Sequence, residues 1–396
     1  MTAARPPRAA LLGYYGFGNA GDEALLRAVI GDLRAACPGI DLTVLSADPA
    51  ATARHFGVRA VHRLRPAAAL ALRRADALIL GGGTLLQDVT SLRSLVYYAG
   101  MILLARRLGA RVIFYANGLG PVRSPLGRRL ALRALAAADL VTLRDHDSLE
   151  TLREWAGDAI PAEVTADAAF ALEYRPAAAA GMLARWRLAR GSYALYALRP
   201  WPGVAARLDD LVILARQVAE RHGLRPVFLA MHPRVDLGLA RELVARTGAG
   251  ALVPDLDPAD TAGLLALLGQ AGAVVTMRLH ALVLAAVAAQ PAIAISYDPK
   301  VDGVARELGL PILGRIESLP DLDTLLRRMD AALREQPRRA EELARRRPEL
   351  QAGARRNAAL AAALLQAPAP PGASGAGAPP PAPAAAPGAR RGREHA

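Results

Sequence analysis

The sequence contains a single cysteine, Cys37, in 396 residues. That excludes an intrachain disulfide and a cysteine-built metal site, and it suits a reducing cytoplasm. The seven histidines show no HExxH-like spacing, so a histidine zinc site has no support. Aromatic residues make up only 4% of the chain while hydrophobic residues reach 53%, inflated by alanine. That balance favours helix-rich α/β packing over a β-sandwich. The longest apolar stretch, 273–295, is cut by Arg278 and His280, which a membrane-spanning helix carries only at considerable cost. The apolar run near the start leads straight into a glycine turn at Gly16, as a first buried strand does, and so does not read as a signal peptide.

Lysine is rarer still. Of 49 lysines and arginines only Lys300 is a lysine, and the asparagines are only Asn19, Asn117 and Asn357. In a chain that has drifted to arginine, alanine and proline, a surviving ammonium marks either a site needing a compact, hydrated charge or a chance survivor on a loop. The formal net charge of +13 favours acidic substrates or anionic lipid headgroups, or is simply a solvated arginine surface.

Short apolar runs at 9–15, 42–46, 77–80, 112–116 and 140–143 read as strands. Amphipathic stretches at 23–36, 95–108, 126–137 and 147–155 read as helices between them. The alternation predicts a parallel, doubly wound sheet. A proline- and alanine-rich stretch at 173–180 reads as a linker. The pattern then restarts, with strands at 193–198, 227–230, 273–276 and 292–295 and helices at 205–221, 237–246, 259–268 and 279–289. The predicted organisation is therefore a first Rossmann-like domain over 1–175, a second over 176–366, and a disordered Pro/Ala/Gly-rich tail over 367–396.

The unusual residues follow strands. In open α/β sheets the ligand crevice lies beyond the carboxyl ends of the strands, so 16–22, 81–88, 117–121, 144–145, Arg199, His232, 278–280 and 297–300 are expected to line one cleft. Gly16-Phe17-Gly18-Asn19-Ala20-Gly21 is a literal GxGxxG, and Asp48 at the end of the next strand could address a ribose. Asp22 and Glu23 oppose that reading, because a pyrophosphate needs positive potential at the helix start. They suit either a well-capped helix or a site for neutral sugar hydroxyls. Gly81-Gly82-Gly83 lets a ligand approach the main chain, with Gln87 and Asp88 supplying an amide and a carboxylate. Arg278 and His280 sit at a helix start, where cations are unfavourable unless an anion joins them. Lys300 follows the next strand, and Arg144 offers a further cation or a salt bridge to Asp145 or Asp147.

Together these segments resemble the polysaccharide pyruvyl transferase family, especially its bacterial CsaB-type members. The resemblance rests on 14–26, 81–95, Tyr115-Ala116-Asn117-Gly118-Leu119-Gly120-Pro121, Leu143-Arg144-Asp145, Thr165-Ala166-Asp167, Met277-Arg278-Leu279-His280 and 296–301. The chain departs from the family pattern at Asn117, where glutamine is usual, and at Ala168, where proline is expected. The resemblance implies a GT-B-like fold, two Rossmann-like domains around a central cleft. It also implies phosphoenolpyruvate as donor and co-substrate, with no other cofactor and no metal. The implied acceptor is a sugar of a cell-surface polymer, free or lipid-linked. In CsaB-like proteins this is an N-acetylmannosamine unit whose ketal serves to hold surface-layer proteins. On this reading Arg144, Arg278, Leu279, His280 and Lys300 bind the donor, and Tyr15, Asn19, Asp22, Gln87 and Asp88 bind the acceptor. His280, Asp22 and Asp88 are the expected proton-transfer groups. The expected partners are phosphoenolpyruvate and a glycan, without nucleic acid. The expected location is the cytoplasm, with peripheral contact at the inner face of the membrane left open. A nucleotide-sugar glycosyltransferase of the same shape is the nearest alternative; an oxidoreductase and a non-catalytic polymer-binding protein are others.

Overall fold

The structure, a computed structural model, describes residues 5–368 apart from 90 and 249. The tail expected over 367–396 lies, beyond Pro368, outside the described residues. The first half runs β1 (Arg8–Leu12), α1 (Ala20–Ala36), β2 (Asp41–Ser46), α2 (Pro49–Phe56), β3 (Arg59–His62) and α3 (Pro66–Arg74). It continues with β4 (Ala77–Gly83), α4 (Leu92–Arg107), β5 (Arg111–Asn117), α5 (Pro125–Ala136), β6 (Leu140–Leu143), α6 (His146–Ala156) and β7 (Glu163–Val164). Its strands form one parallel sheet in the order β3-β2-β1-β4-β5-β6-β7. The second half runs α7 (Pro176–Met182), β8 (Tyr193–Ala197), α8 (Leu208–His222), β9 (Arg225–Phe228), α9 (Pro233–Thr247) and α10 (Thr261–Gly269). There follow β10 (Ala273–Thr276), α11 (Leu279–Val287), β11 (Ala292–Ser296), α12 (Pro299–Glu307), β12 (Ile312–Arg315) and α13 (Leu322–Gln366). Its parallel sheet has the order β12-β11-β10-β8-β9.

The central strands are apolar because helices cover both faces. Every residue of β4, β8, β10 and β11 is buried. Strand order reverses between β1 and β4 in one sheet and between β8 and β10 in the other. Crevices open at such points, and these two open toward each other. The halves meet directly: the Ala20 N–H donates to the Met231 carbonyl at 2.8 Å, and a ring nitrogen of His232 bonds the Phe17 carbonyl at 3.1 Å.

Several elements depart from expectation. The first strand ends at Leu12, because the chain turns through Gly13–Gly16. β3, α2 and α3 were not expected; β3 is only partly buried and carries no apolar run. The expected linker is helical from Pro176, a residue type suited to a first turn, through a run of alanines. α13 is the largest surprise, a 45-residue helix with Pro337 and Pro348 inside it. Its first part buries Leu325, Leu326 and Met329 in the second half, where Arg328 donates to the Leu313 carbonyl at 2.7 Å. Its last part returns to the first sheet. There the buried Asn357 side chain accepts from the hydroxyls of Thr142 and Thr165 and donates to the carbonyl of Ala166. The expected unit 176–366 therefore ends in a helix that both halves share. Among the described residues, no helix is long and apolar enough to cross a membrane.

Candidate functional site

The turn after β1 builds one wall. Gly16 has φ +76°, and a Cβ there would lie 2.1 Å from the Ser46 hydroxyl, so this glycine serves close packing of the turn against β2. Asp48 accepts from the Ala51 N–H at 3.0 Å and caps α2, which occupies the carboxylate that a ribose-binding reading would use. Asn19 caps α1, and its amide donates to Oδ2 of Asp22. Burial pushes the Asp22 carboxyl up to about 7; Glu23 adds to this, while Arg278, Lys300 and the Asn19 amide pull it partly back. Glu23 is buried and accepts from the Gly16 N–H at 2.9 Å. Burial raises it to about 6 against the lowering effect of the Gly16 and Gly18 N–H groups.

The glycines expected to follow the strand instead form the end of β4 and build the floor. The Asn117 amide donates to the carbonyls of Gly82 and Gly83 at 3.0 and 3.3 Å and fixes their path. Gln87, Ser91 and Ser94 line the cleft beyond it. Asp88 does not. Its carboxylate accepts from the N–H groups of Arg123 and Ser124 and from the Ser124 hydroxyl, at 2.8, 2.8 and 2.7 Å. Desolvation pushes that carboxyl up, but these donors outweigh it and hold Asp88 below its ordinary range. Asp88, expected among the acceptor-binding and catalytic residues, thus fastens the loop at 123–124 and stands outside the lining of the cleft.

The second half supplies the cations, and most are paired. Arg278, which immediately precedes α11, contacts the fully buried Asp236 carboxylate. Lys300 lies 3.5 Å from Asp298, the residue that caps α12. Arg144, from the first half, bonds Asp145 at 3.0 Å, Asp167 at 3.4 Å and the Thr84 hydroxyl at 3.3 Å. Burial alone would favour its neutral form, but the two carboxylates outweigh that and keep its pKa raised. Arg199 donates to the Tyr297 hydroxyl at 3.0 Å and lies about 5 Å from the rings of Trp201 and Tyr297. Burial lowers His280 to about 4, and the cations Arg144, Lys300 and Arg278 reinforce this against Asp167. His280 is thus a neutral imidazole at pH 7, not the group titrating near neutrality that its residue type suggested.

These walls enclose a cleft of about 390 Å³. A neighbouring interdomain space of about 540 Å³ shares Thr84, Arg144 and Lys300 with it. The Nε atoms of Arg199 and Arg278 and Nε2 of His280 are buried without a hydrogen-bond partner among the described residues. Each such atom costs about 1–3 kcal/mol until satisfied, and all three belong to residues that line the cleft.

Of the predicted residues, the cleft brings together Asn19, Asp22, Gln87, Arg144, Arg278, Leu279, His280 and Lys300. Tyr15 is turned into the core, where its hydroxyl donates to the Gly81 carbonyl at 2.6 Å. Its neighbour Tyr14 faces the cleft instead, its ring stacked 4.1 Å from that of Phe17. Arg199 and His232 also line the cleft, as their positions after strands suggested, though neither had been given a role. Of the buried partners, Asp167 lies in the Thr165-Ala166-Asp167 segment but had been given no role, and Asp236 carried no signal of its own in the sequence. Among the described residues, no group of three or more His, Cys, Asp or Glu is arranged to hold a metal ion.

Solved structures share this architecture. UDP-GlcNAc 2-epimerase from Neisseria meningitidis, bound to UDP-GlcNAc, superposes with a TM-score of 0.63 at 12% identity, covering 91% of this chain and 100% of that one. The same enzyme from Methanocaldococcus jannaschii gives 0.60 at 12% identity, covering 89% and 99%. A UGT transferase from Siraitia grosvenorii in complex with UDP gives 0.55 at 11% identity, covering 91% and 100%. Likeness at this identity establishes a common GT-B fold and nothing about substrate. No curated protein matches the sequence. The sequence model of the polysaccharide pyruvyl transferases matches residues 19–299, which carry Asn19, Asp22, the glycine loop, Arg144, Arg278 and His280. The chain belongs to the polysaccharide pyruvyl transferase family.

Proposed function

We propose that the protein transfers a pyruvyl group from phosphoenolpyruvate to two hydroxyls of one sugar in a cell-surface polysaccharide, such as an N-acetylmannosamine unit, forming a ketal. The observation that carries this reading is Asp22: a carboxyl poised near neutrality within the field of Arg278 and Lys300. A group titrating near the working pH is well matched to proton transfer. Arg278, Lys300, Arg199 and Arg144 give the donor's carboxylate and phosphate a cationic bed.

The reaction balances as follows. Asp22 delivers its proton to the methylene carbon of phosphoenolpyruvate, which becomes the methyl group, and the central carbon becomes electrophilic. One sugar hydroxyl adds there and returns its proton to Asp22. The bond to phosphate then breaks, the second hydroxyl adds, and its proton leaves with the phosphate. Because the Asn19 amide occupies Oδ2 of Asp22, Oδ1 is the atom left to carry the proton. Neutral His280 hydrogen-bonds the donor without competing as an acid. The scheme requires no cofactor beyond phosphoenolpyruvate as co-substrate.

The test is release of inorganic phosphate from phosphoenolpyruvate dependent on a soluble N-acetylmannosaminide. No phosphate release with any glycan acceptor would refute the proposal. Nucleotide-sugar glycosyl transfer is the second reading, because structures of this fold carry UDP and UDP-GlcNAc. Binding of UDP-sugars with no binding of phosphoenolpyruvate would favour it.

A further inference from the structure

The excess of positive over negative charge is unevenly distributed along the chain. Residues 63–138 contain twelve arginines against two aspartates, with no lysine or glutamate. That segment alone holds ten of the thirteen net positive charges. Both aspartates are committed: Asp76 to Arg5 and the Arg8 N–H, Asp88 to the loop at Arg123 and Ser124. The same segment builds α3, α4 and α5, which cover one face of the first sheet through Leu72, Ile102 and Leu135.

The outer side of this layer is also unusually apolar. Of the nine large hydrophobic side chains exposed among the described residues, seven lie on or beside α3, α4 and α5. Leu64 is 69% exposed, Leu126 53% and Val96 46%. On α4, Leu92, Val96 and Leu103 fall within about 40° of one another at 3.6 residues per turn, flanked by Arg93 and Arg107 and by Arg106, which pairs with Asp139 at 2.8 Å. Helix α4 also begins at the cleft: Ser91 and Ser94 line it, while Leu92 beside them points to solvent.

We infer that the α3–α5 face docks on the surface of an anionic lipid bilayer and holds the cleft mouth beside it. Aliphatic side chains ringed by arginines suit the boundary between headgroups and acyl chains, where basic residues meet negative lipid. A nucleic acid fits less well, because the exposed apolar groups of this layer are aliphatic and offer no stacking platform. The inference deepens the proposed reaction by making the acceptor a lipid-linked glycan, and on that point alone it rests on that reading.

The test is co-sedimentation of the full-length chain with vesicles of phosphatidylcholine alone or with 30% phosphatidylglycerol, ~100 mM salt and no substrate. Binding is expected only to the anionic vesicles. Each basic residue near such a surface is worth about five-fold in partition, so the exposed-residue variant R93E/R107E/R129E should lose roughly 100-fold or more. Val96→Ser with Leu103→Ser should weaken binding several-fold. Phosphate release with a soluble acceptor should remain within about two-fold of the parent in both variants, which separates a failed surface from a failed reaction. Undiminished vesicle binding by the triple variant overturns the inference. So does binding that vanishes only on deleting 369–396, or retention of RNA without retention of anionic vesicles.

Discussion

Gly21 meets His280 with no room for a side chain between them. A Cβ on Gly21 would lie 2.5 Å from the imidazole Nδ1 and 2.6 Å from the His280 Cβ. The first turn of α1 and the first turn of α11 therefore pack across the cleft at a distance that only glycine permits. That contact sets how far Asp22, one residue on, stands from Arg278 and Lys300.

Gly21→Ala should force the halves apart, because the atoms it meets include the near end of the histidine side chain. The expected result is a fall of at least ~10-fold in phosphoenolpyruvate-dependent turnover and a destabilisation of about 1–3 kcal/mol. Adding His280→Ala should recover much of the stability but not the turnover. A double-mutant cycle in thermal melts measures the coupling. Additive losses would mean that the two residues do not press on each other.

On the proposed mechanism Asp22 sets the pH dependence. If its protonated form starts the chemistry, kcat/KM should fall about tenfold per pH unit above roughly 7. Asp22→Asn should remove nearly all turnover. The same substitution tests stability. The folded chain holds the Asp22 proton more tightly than the unfolded chain, so its contribution is present below the ordinary carboxyl range and lost as pH rises through about 7. Asp22→Asn should therefore melt higher than the parent at pH 8, with little gain at pH 4. An unchanged melting difference between those two pH values would refute the raised carboxyl.

Lys300 stands where the two interdomain spaces meet, partly exposed and 3.5 Å from Asp298. A charge-assisted hydrogen bond to the donor is worth ~1.5–3 kcal/mol, so Lys300→Ala should lose roughly 10- to 150-fold in phosphoenolpyruvate-dependent turnover with little change in Tm. Lys300→Arg should also be impaired, since the longer planar fork cannot occupy the ammonium's position. Parent-like kinetics of Lys300→Arg would make the lone lysine a chance survivor.

Asp88 should behave as a fastener and not as a catalyst. Asp88→Ala removes the acceptor for two backbone N–H groups and a hydroxyl and should destabilise by about 1–2 kcal/mol, with the KM for phosphoenolpyruvate nearly unchanged. Because its carboxyl is held below the ordinary range, the stabilisation is present at neutral pH and lost as pH falls below about 4. A loss of turnover much larger than the loss of folded protein would return Asp88 to the active site.

The two parallel sheets were legible because their central strands are continuous apolar runs followed by glycine or charged residues. β3 was not, since it is partly exposed and too short to show a pattern. α13 was hidden by Pro337 and Pro348, which ordinarily interrupt a helix. At the site, residue type and position after a strand located Asp22, Arg278, His280 and Lys300. Their partners were out of reach: nothing local links Arg278 to Asp236, or Arg144 to Asp167. Nor does sequence alone show that burial neutralises His280 while holding Asp22 near 7, because both effects arise from packing across the two halves. Tyr14 and Tyr15 are adjacent and chemically alike, and only the fold of the turn decides which one faces the cleft.

The return of α13 to the first sheet sets an order of assembly during synthesis. Thr142 and Thr165 leave the ribosome long before Asn357, the side chain that accepts from both hydroxyls. Roughly 200 residues separate Thr165 from the end of α13, or about 10–40 s of translation at 5–20 residues per second. For that interval the face of α1 that α13 will cover stays open to water and to other nascent chains. The amino-terminal half is thus the first to be made and the last to be closed.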